Sequence, residues 1–415
     1  MELYHYLGIA VVLPQLLLSF QVLRNCCYAL KKYKKPRLSY LPRTVLVVPC
    51  KGLDTNFRQN VSSFFCQDYE DYLLWFVVGK ESDPAYPVLC ELKQQHAAQS
   101  KARDVQILIA GDAQGCGQKI HNMLYAYRHI DSAIEVLAFV DADACIRADW
   151  LRHIVYPLSI PKYGGATGYR WFVPQRDNVA SLALSAVNAK VTQLLGNTPF
   201  NLAWGGSMAI RVDIFRQLEL DQIWPKTLSD DLALTREVKK AGLMIAFVPA
   251  CLTASLEQMT FRQLFEFAQR QFVITRVGAP GIWWFGLCGS LYSVLGLWSL
   301  AAAAFSREHV FFATLFAIFL GNQAFRAIVR QTTAGALLAE HRDRMRTARI
   351  ADILGFWLWS GLLLTFILSS AFRRTITWRG IKYRMTSLTD TTMLAPDPEG
   401  ESPWTHQPTS PEDRR

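Results

Sequence analysis

Val136-Leu137-Ala138-Phe139-Val140-Asp141-Ala142-Asp143 is the stretch on which the fold turns. Five consecutive apolar residues read as a strand buried on both faces, and two acids one residue apart follow at its carboxyl end. Working outward, the same phrase recurs. Thr44-Val-Leu-Val-Val-Pro49 runs into Cys50-Lys51-Gly52. Residues 72–79 (YLLWFVVG) run into Glu81-Ser82-Asp83-Pro84. Residues 105–109 run into Gly111-Asp112 and then Gly115-Cys116-Gly117-Gln118-Lys119. Helical patterns over 56–66, 84–99 and 119–130 separate these strands. This alternation predicts an α/β domain with a largely parallel sheet. Ligands of such sheets bind at the carboxyl ends of the strands, where the polar residues gather here.

Acids from two strand ends beside a lysine suggest a metal–diphosphate site, since a carboxylate-held cation neutralises a leaving diphosphate. Each residue also has a plainer reading. Asp83 before Pro84 suits the start of a helix. Asp141 and Asp143 could cap a helix beginning near Asp149, and Lys119 could be a solvated helix start. Gly115-Cys116-Gly117 is no dinucleotide fingerprint, because no GxGxxG opens a helix after the first strand. Further on, Trp204-Gly205-Gly206-Ser207 precedes a strand-like run to Arg211; two glycines there let a backbone approach a ligand closely. Ser229-Asp230-Asp231 opens a helix that stops at Gly242. Ser229 or Asp230 can cap it, which leaves one carboxylate to accept a proton. Residues 256–276 read as an amphipathic helix, with Phe261, Leu264, Phe265, Ala268 and Phe272 on one face. Such a helix suits a membrane interface or the domain's own packing.

The 415-residue chain is 51% hydrophobic and 19% charged, with a net charge of +10. That excludes disorder and a coiled coil. The charge also excludes a nucleic-acid partner, by its location. Residues 31–43, 326–349 and 373–384 together carry +15, so the remainder stands at −5. A nucleic-acid domain carries its basic excess on the folded body; here it flanks apolar runs, the positive-inside pattern. Residues 282–305 and 353–372 are clean spans, and 310–325 is a shorter one expected to end near Arg326. Residues 6–30 form an apolar run followed by Lys31–Lys35 and no small-residue cleavage site. It is expected to be a retained anchor with its N-terminus outside, placing residues 31–276 in the cytosol. Three C-terminal crossings would put the basic segment 373–384 outside, against the rule, so one is expected to be re-entrant, with 310–325 the candidate. The nine scattered cysteines show no CxxC, which suggests reduced thiols.

The ordered set of signatures resembles the membrane-bound glycosyltransferases of the GT-A fold, and among them the ceramide glucosyltransferase family. Thr44–Asp54 looks like that family's opening strand and Lys-Gly loop, and Ser82-Asp83-Pro84-Ala85 like its first aspartate motif. Gly117-Gln118-Lys119-Ile120-His121-Asn122 resembles its diphosphate-binding segment. Asp143 stands at the second, metal-linked aspartate position and Asp231 at the third, the base. Trp378-Arg379-Gly380 and Tyr383 resemble the family's basic ending. The resemblance covers residues 6–385. One departure is visible. The family's Gln/Arg-x-x-Arg-Trp motif is replaced by Gln269-Arg270-Gln271-Phe272-Val273-Ile274-Thr275-Arg276, with no Arg-Trp, which bears on the acceptor more than on the reaction.

The resemblance implies a division into a transmembrane anchor (1–30), a basic linker (31–43) and a cytosolic GT-A domain (44–255). An interface helix (256–276), a membrane cluster (277–372), a basic segment (373–385) and a disordered tail (386–415) follow. It implies a UDP-hexose, with glucose the expected sugar, held by Lys51, Asp83, Lys119, Asn122, Asp141, Arg270 and Gln271. Asp143 would carry Mg²⁺ or Mn²⁺ as a Lewis acid. Asp231 would deprotonate the hydroxyl of a membrane lipid, with inversion. Trp204, Gly205, Gly206, Asp230, Gln269 and Arg276 would form the acceptor region. Ceramide, diacylglycerol and a hopanoid remain open as acceptors. A processive polysaccharide synthase is the rival within the fold, and a non-enzymatic membrane scaffold the rival outside it.

Overall fold

The computed structural model describes residues 2–396 apart from 36, 38, 55, 114, 379 and 380. Arg379 and Gly380 of the basic ending, and residues 397–415 of the expected tail, lie outside the described residues. In chain order the elements are α1 (Leu3–Tyr33), β1 (Thr44–Pro49), α2 (Phe57–Phe65), β2 (Tyr72–Val78), α3 (Ala85–His96), β3 (Asp104–Ile109), α4 (Gln118–His129), β4 (Val136–Val140) and α5 (Trp150–Val155). Then come β5 (Tyr163–Pro174), α6 (Val179–Thr192), β6 (Ser207–Arg211), α7 (Val212–Gln217), α8 (Leu220–Ile223), α9 (Asp230–Lys240) and β7 (Met244–Glu257). Last are α10 (Phe261–Gly278), α11 (Pro280–Ala303), α12 (His309–Leu337), α13 (Arg346–Leu354), α14 (Phe356–Ser370), β8 (Thr375–Trp378), β9 (Ile381–Ser387) and β10 (Asp390–Pro396). They form two compact units, and β5 and β7 run from one into the other.

The first unit comprises Lys35–Arg170, Asn201–Ser255 and the chain from Arg373. Its seven-stranded sheet has the order β3-β2-β1-β4-β6-β5-β7. β1 to β4 pair in parallel, as their uninterrupted apolar runs require. β6 then pairs antiparallel with both β4 and β5, so the sheet is mixed, where the sequence reading found only the parallel half. Phe64, Phe65, Phe76, Trp150 and Leu151 fill one core against the sheet. α9 is capped by the Ser229 side chain, and its chain turns off at Gly242 with φ +73, a left-handed angle that glycine takes without strain. The expected disorder from residue 386 does not hold for 386–396. There β9 and β10 pair antiparallel, with Thr392 opposite Arg384 and Met393 opposite Tyr383, and Tyr383 and Met385 are buried. Period-two alternation of Tyr383 and Met385 outweighs the proline count.

The second unit is helical and holds three helices long and apolar enough to cross a membrane: α1, α11 and α12. α1 and α12 run parallel, Ser19 Oγ donating to Asn322 Oδ1 (2.9 Å) and Thr333 Oγ1 to Cys26 Sγ (2.7 Å). α11 runs antiparallel to α12, with Leu297 and Leu300 packed among Phe312, Leu315 and Phe319. α10 starts at Phe261 rather than 256, where the Thr260–Gln263 capping box closes it, and residues 256–257 still belong to β7.

The helix that carries Arg326 is longer than its expected crossing, and the expected place of the interruption needs correction. α12 continues through Arg326 and Arg330, both buried, to Leu337. Arg330 can stay inside because Asp352, fully buried on α13, accepts from its Nε (2.7 Å) and Nη2. The interrupted element is instead the last. α13 and α14 meet at Gly355 with an 85° bend, and a Cβ there would lie 2.7 Å from both Ala351 O and Trp359 Nε1. Both ends of this pair lie at the Pro280 end of α11. Trp283 Nε1 donates to Ser370 Oγ (2.9 Å), and Asp352 is held by the C-terminal half of the antiparallel α12.

Candidate active site

The polar residues that follow β1, β2 and β4 converge with the N-termini of α4 and α9. After β1, Gly52 takes φ +68 beside Lys51 and donates its N–H to Asp83 Oδ1 (2.8 Å). The same oxygen accepts from Ala85 N–H (2.9 Å) and opens α3. Asp83 therefore ties the Lys51 loop to the end of β2 as well as starting a helix.

Lys119, in the first turn of α4, is the hub. Its Nζ lies 2.7 Å from Asp141 Oδ1 and 3.6 Å from Asp230 Oδ2. Burial opposes its charge, but Asp141 and Asp230 outweigh that and raise its pKa. Asp230 is buried at 4% exposure. Burial pushes its carboxyl upward, Lys119 pulls it down, and Asp231 and Asp141 push it up again; the net shift is upward. Lys119 is thus committed to protein carboxylates. Asn122 is also occupied: buried, it donates Nδ2–H to Val77 O (2.9 Å) and accepts from Gln118 Nε2 (2.8 Å). Its amide ties α4 to β2.

The two glycines before β6 serve the acids first. A Cβ on Gly205 would fall on the Asp230 carboxylate and 2.9 Å from Lys119 Nζ; one on Gly206 would fall on the Trp204 ring and 2.7 Å from Asp141 Oδ2. Asp141 N–H donates to Gly206 O (3.2 Å). Asp231 Oδ2 accepts from Gly205 N–H (3.1 Å), while Oδ1 accepts from Leu232 N–H (2.8 Å) and Ser229 Oγ. Its carboxylate is thereby fixed in orientation, and Oδ2 keeps a lone pair to accept a proton.

Arg170, on β5, completes the cluster and escaped the sequence reading. Its Nη2 lies 3.7 Å from Asp141 Oδ2 and its Nη1 3.7 Å from Asp143 Oδ2. The guanidinium stacks 4.9 Å from the Trp204 ring centroid, and Tyr169 packs edge-on against that ring. Its signal was present: Arg170 is the lone charge in the strand YGGATGYRWFVP. Gln269, Arg270, Gln271 and Arg276 belong to the helical unit. There Gln269 Nε2 donates to Ser369 O (3.3 Å), and Arg270 lies 5.5 Å from the Phe267 ring.

No group of three His, Cys, Asp or Glu side chains among the described residues is placed to hold a metal by itself. One acceptor is suited to do so with help: Asp143 Oδ1 is buried without a hydrogen-bond partner. Magnesium-type cations are commonly held by one or two carboxylates plus substrate phosphates, so the donor set fits a cation that arrives with a diphosphate.

A family model described as Glycosyl transferase family 21 matches residues 6–390. Ceramide glucosyltransferase 3 of Caenorhabditis elegans is 33% identical over 113 residues, 27% of this chain and 23% of the relative. Ceramide glucosyltransferase 1 of the same organism is 34% identical over 88 residues, 21% of this chain and 18% of the relative. The chain therefore matches less than a quarter of the length of these relatives. A mannosyltransferase from Pyrobaculum calidifontis, solved with GDP-Man and Mn2+, superposes with a TM-score of 0.45 at 17% identity, covering 89% of this chain and 98% of that one. The family match over nearly the whole chain, on a mixed α/β body whose acids sit at the strand ends, leads to one conclusion: the chain belongs to glycosyl transferase family 21.

Proposed function

We propose that this glycosyltransferase moves a hexose, glucose, from a UDP-sugar to the hydroxyl of a membrane lipid of the ceramide type, with inversion, at the cytosolic membrane face. The observation that carries the reading is the pairing of Asp143, whose Oδ1 is an open buried acceptor, with Asp231, held at the start of α9 by Gly205 and Leu232. The names of the two nematode relatives support ceramide as acceptor.

The chain's own residues divide the work. Lys51 and Asp83 bind the donor, Asp83 through Oδ2, since the bonds to Gly52 and Ala85 both fall on Oδ1. Asp143 holds Mg²⁺ or Mn²⁺, which supplies Lewis-acid stabilisation of the leaving diphosphate. Lys119 and Arg170 keep Asp141, Asp143 and Asp230 from repelling that diphosphate. Asp231 Oδ2 takes the proton of the lipid hydroxyl as its oxygen bonds to the anomeric carbon; the bond from that carbon to the diphosphate oxygen breaks and UDP departs with the electron pair.

The helical unit supports a membrane setting with α1, α11 and α12 as crossings. The Lys-rich end of α1 faces the cytosol. The α13–α14 pair is re-entrant, because it enters and leaves at the Pro280 end of α11. The basic segment after α14 then returns to the cytosolic side, as the positive-inside rule requires. The test is mass spectrometry of lipids from cells expressing the protein or its Asp231→Asn variant. A hexosyl-lipid dependent on Asp231 identifies donor and acceptor together; equal product from both sinks the assignment of the base, and a polymer in place of a glycolipid favours the processive alternative.

A further inference from the structure

We propose that Arg326 anchors a binding site for the anionic phosphate head of a membrane lipid, inside the helical unit and separate from the sugar-transfer chemistry. Arg326 lies on α12 at 6% exposure. Its Nη2 donates to Gln323 Oε1 (3.1 Å), but its Nη1 is buried with no partner, as is Gln323 Nε2. Gln15 of α1 is fully buried. The Tyr292 hydroxyl of α11 faces both Gln15 and Arg326 and donates to Val11 O. The guanidinium of Arg326 and the amide of Gln323 therefore leave donors unsatisfied in the buried interior of the helical unit.

Arg330, one turn further, shows what a satisfied arginine looks like in this unit. It has Asp352 on Nε and Nη2, and Gln193 Oε1 on Nη1 (3.2 Å). Asp352 also accepts from Gln331 (2.8 Å), so its oxygens are taken. Lys190 is met by Ser360 Oγ (2.8 Å) and Phe356 O (3.3 Å), both neutral. Among the described residues no carboxylate pairs with Arg326. An unpaired arginine in hydrocarbon is costly, and so is each buried hydrogen bond left unmade. An anion with several acceptor oxygens removes both costs, and a phosphate matches the guanidinium fork.

Depth favours a lipid source. Arg326 is 17 residues into α12, which at 1.5 Å per residue is about 25 Å along a span of about 30 Å. That places it just beneath the headgroups on the Leu337 side, within reach of a phosphate drawn slightly inward.

The experiment uses the full chain in nanodiscs. Melting temperature is compared between phosphatidylcholine discs, the same discs with phosphatidylglycerol, and phosphatidylcholine discs with inorganic phosphate added. The wild type should gain stability with phosphatidylglycerol and not with inorganic phosphate. Arg326→Gln should lose that gain, and Arg326→Lys should keep it. A gain from inorganic phosphate alone would overturn the lipid source, and an equal phosphatidylglycerol gain in wild type and Arg326→Gln would overturn the site. Should Arg326→Gln fail to fold, native mass spectrometry of the wild type decides: a co-purified anionic phospholipid supports the site, and its absence, leaving water alone in the interior, refutes it.

Discussion

Replacing Lys119 by Met separates two roles that one lysine could have. As a diphosphate ligand, its loss would weaken donor binding and leave the free protein's stability alone. In the structure its ammonium instead lies 2.7 Å from Asp141 and 3.6 Å from Asp230. At an effective dielectric constant of 20 those separations correspond to roughly 6 and 5 kcal/mol of gross Coulomb attraction. Desolvation removes most of that, and breaking a buried ion pair by deleting one partner costs about 3–5 kcal/mol. The side chains are 17%, 22% and 6% exposed, so the lower end of that range is the appropriate expectation. Lys119→Met should therefore lower the melting temperature by about 6–12 °C for a loss of about 3 kcal/mol in a domain of this size, measured by tryptophan fluorescence with metal chelated and no nucleotide present. Asp230→Asn should relieve part of the damage. The double variant should be more stable than the sum of the singles predicts, by about 1–3 kcal/mol. If Lys119→Met melts with the wild type and the two substitutions add independently, the ammonium is not neutralising these carboxylates and the hub described above is wrong.

Gly206→Ala should cost about 1–3 kcal/mol through overpacking against Trp204 and Asp141 and should lose most transfer activity, whereas Gly289→Ala, on α11 with open space around it, should leave both within about 1 kcal/mol of wild type; thermal melts and a transfer assay compare them. Asp149 is held at about 2: burial raises its pKa, but hydrogen bonds from His153 and Arg147 lower it further. Its contribution to stability is therefore full above its ordinary 3.8 and lost as pH falls through about 2, so melting curves of wild type and Asp149→Asn should converge across that window; a constant gap would contradict it. Epitopes inserted at residue 306 and at residue 389 should label on opposite sides of sealed vesicles, the first outside and the second cytosolic. Labelling on one side would refute the re-entrant α13–α14 pair.

Legibility differed by element. β1, β2 and β4, with α2 to α4, could be read from local pattern alone, because a strand buried on both faces leaves an unbroken apolar run. β5 and β7 could not. β5 mixes three glycines, Arg170 and apolar residues, and its strand state is set by its place in the sheet rather than by its own propensity. The break at Gly355 was equally silent, because 353–372 is apolar on both sides of it; only the contact of Trp359 with Ala351 O (2.8 Å) shows where the helix turns.

The sequence by itself determined which charged side chains the chain carries and where along it they fall. Residue identity places Asp143, Asp231 and Lys119 at strand and helix ends, and composition places the basic segments beside the apolar runs. What only the tertiary structure decided is how those charges are paired. Lys119 faces Asp141 and Asp230, Arg170 spans Asp141 and Asp143, Arg330 is matched by Asp352, and Arg326 has no matching acid among the described residues. Pairing depends on distances between elements far apart in the chain, and the free energy of a charge is set by what lies within a few ångströms of it. A linear pattern lists such groups but holds no information about which of them meet.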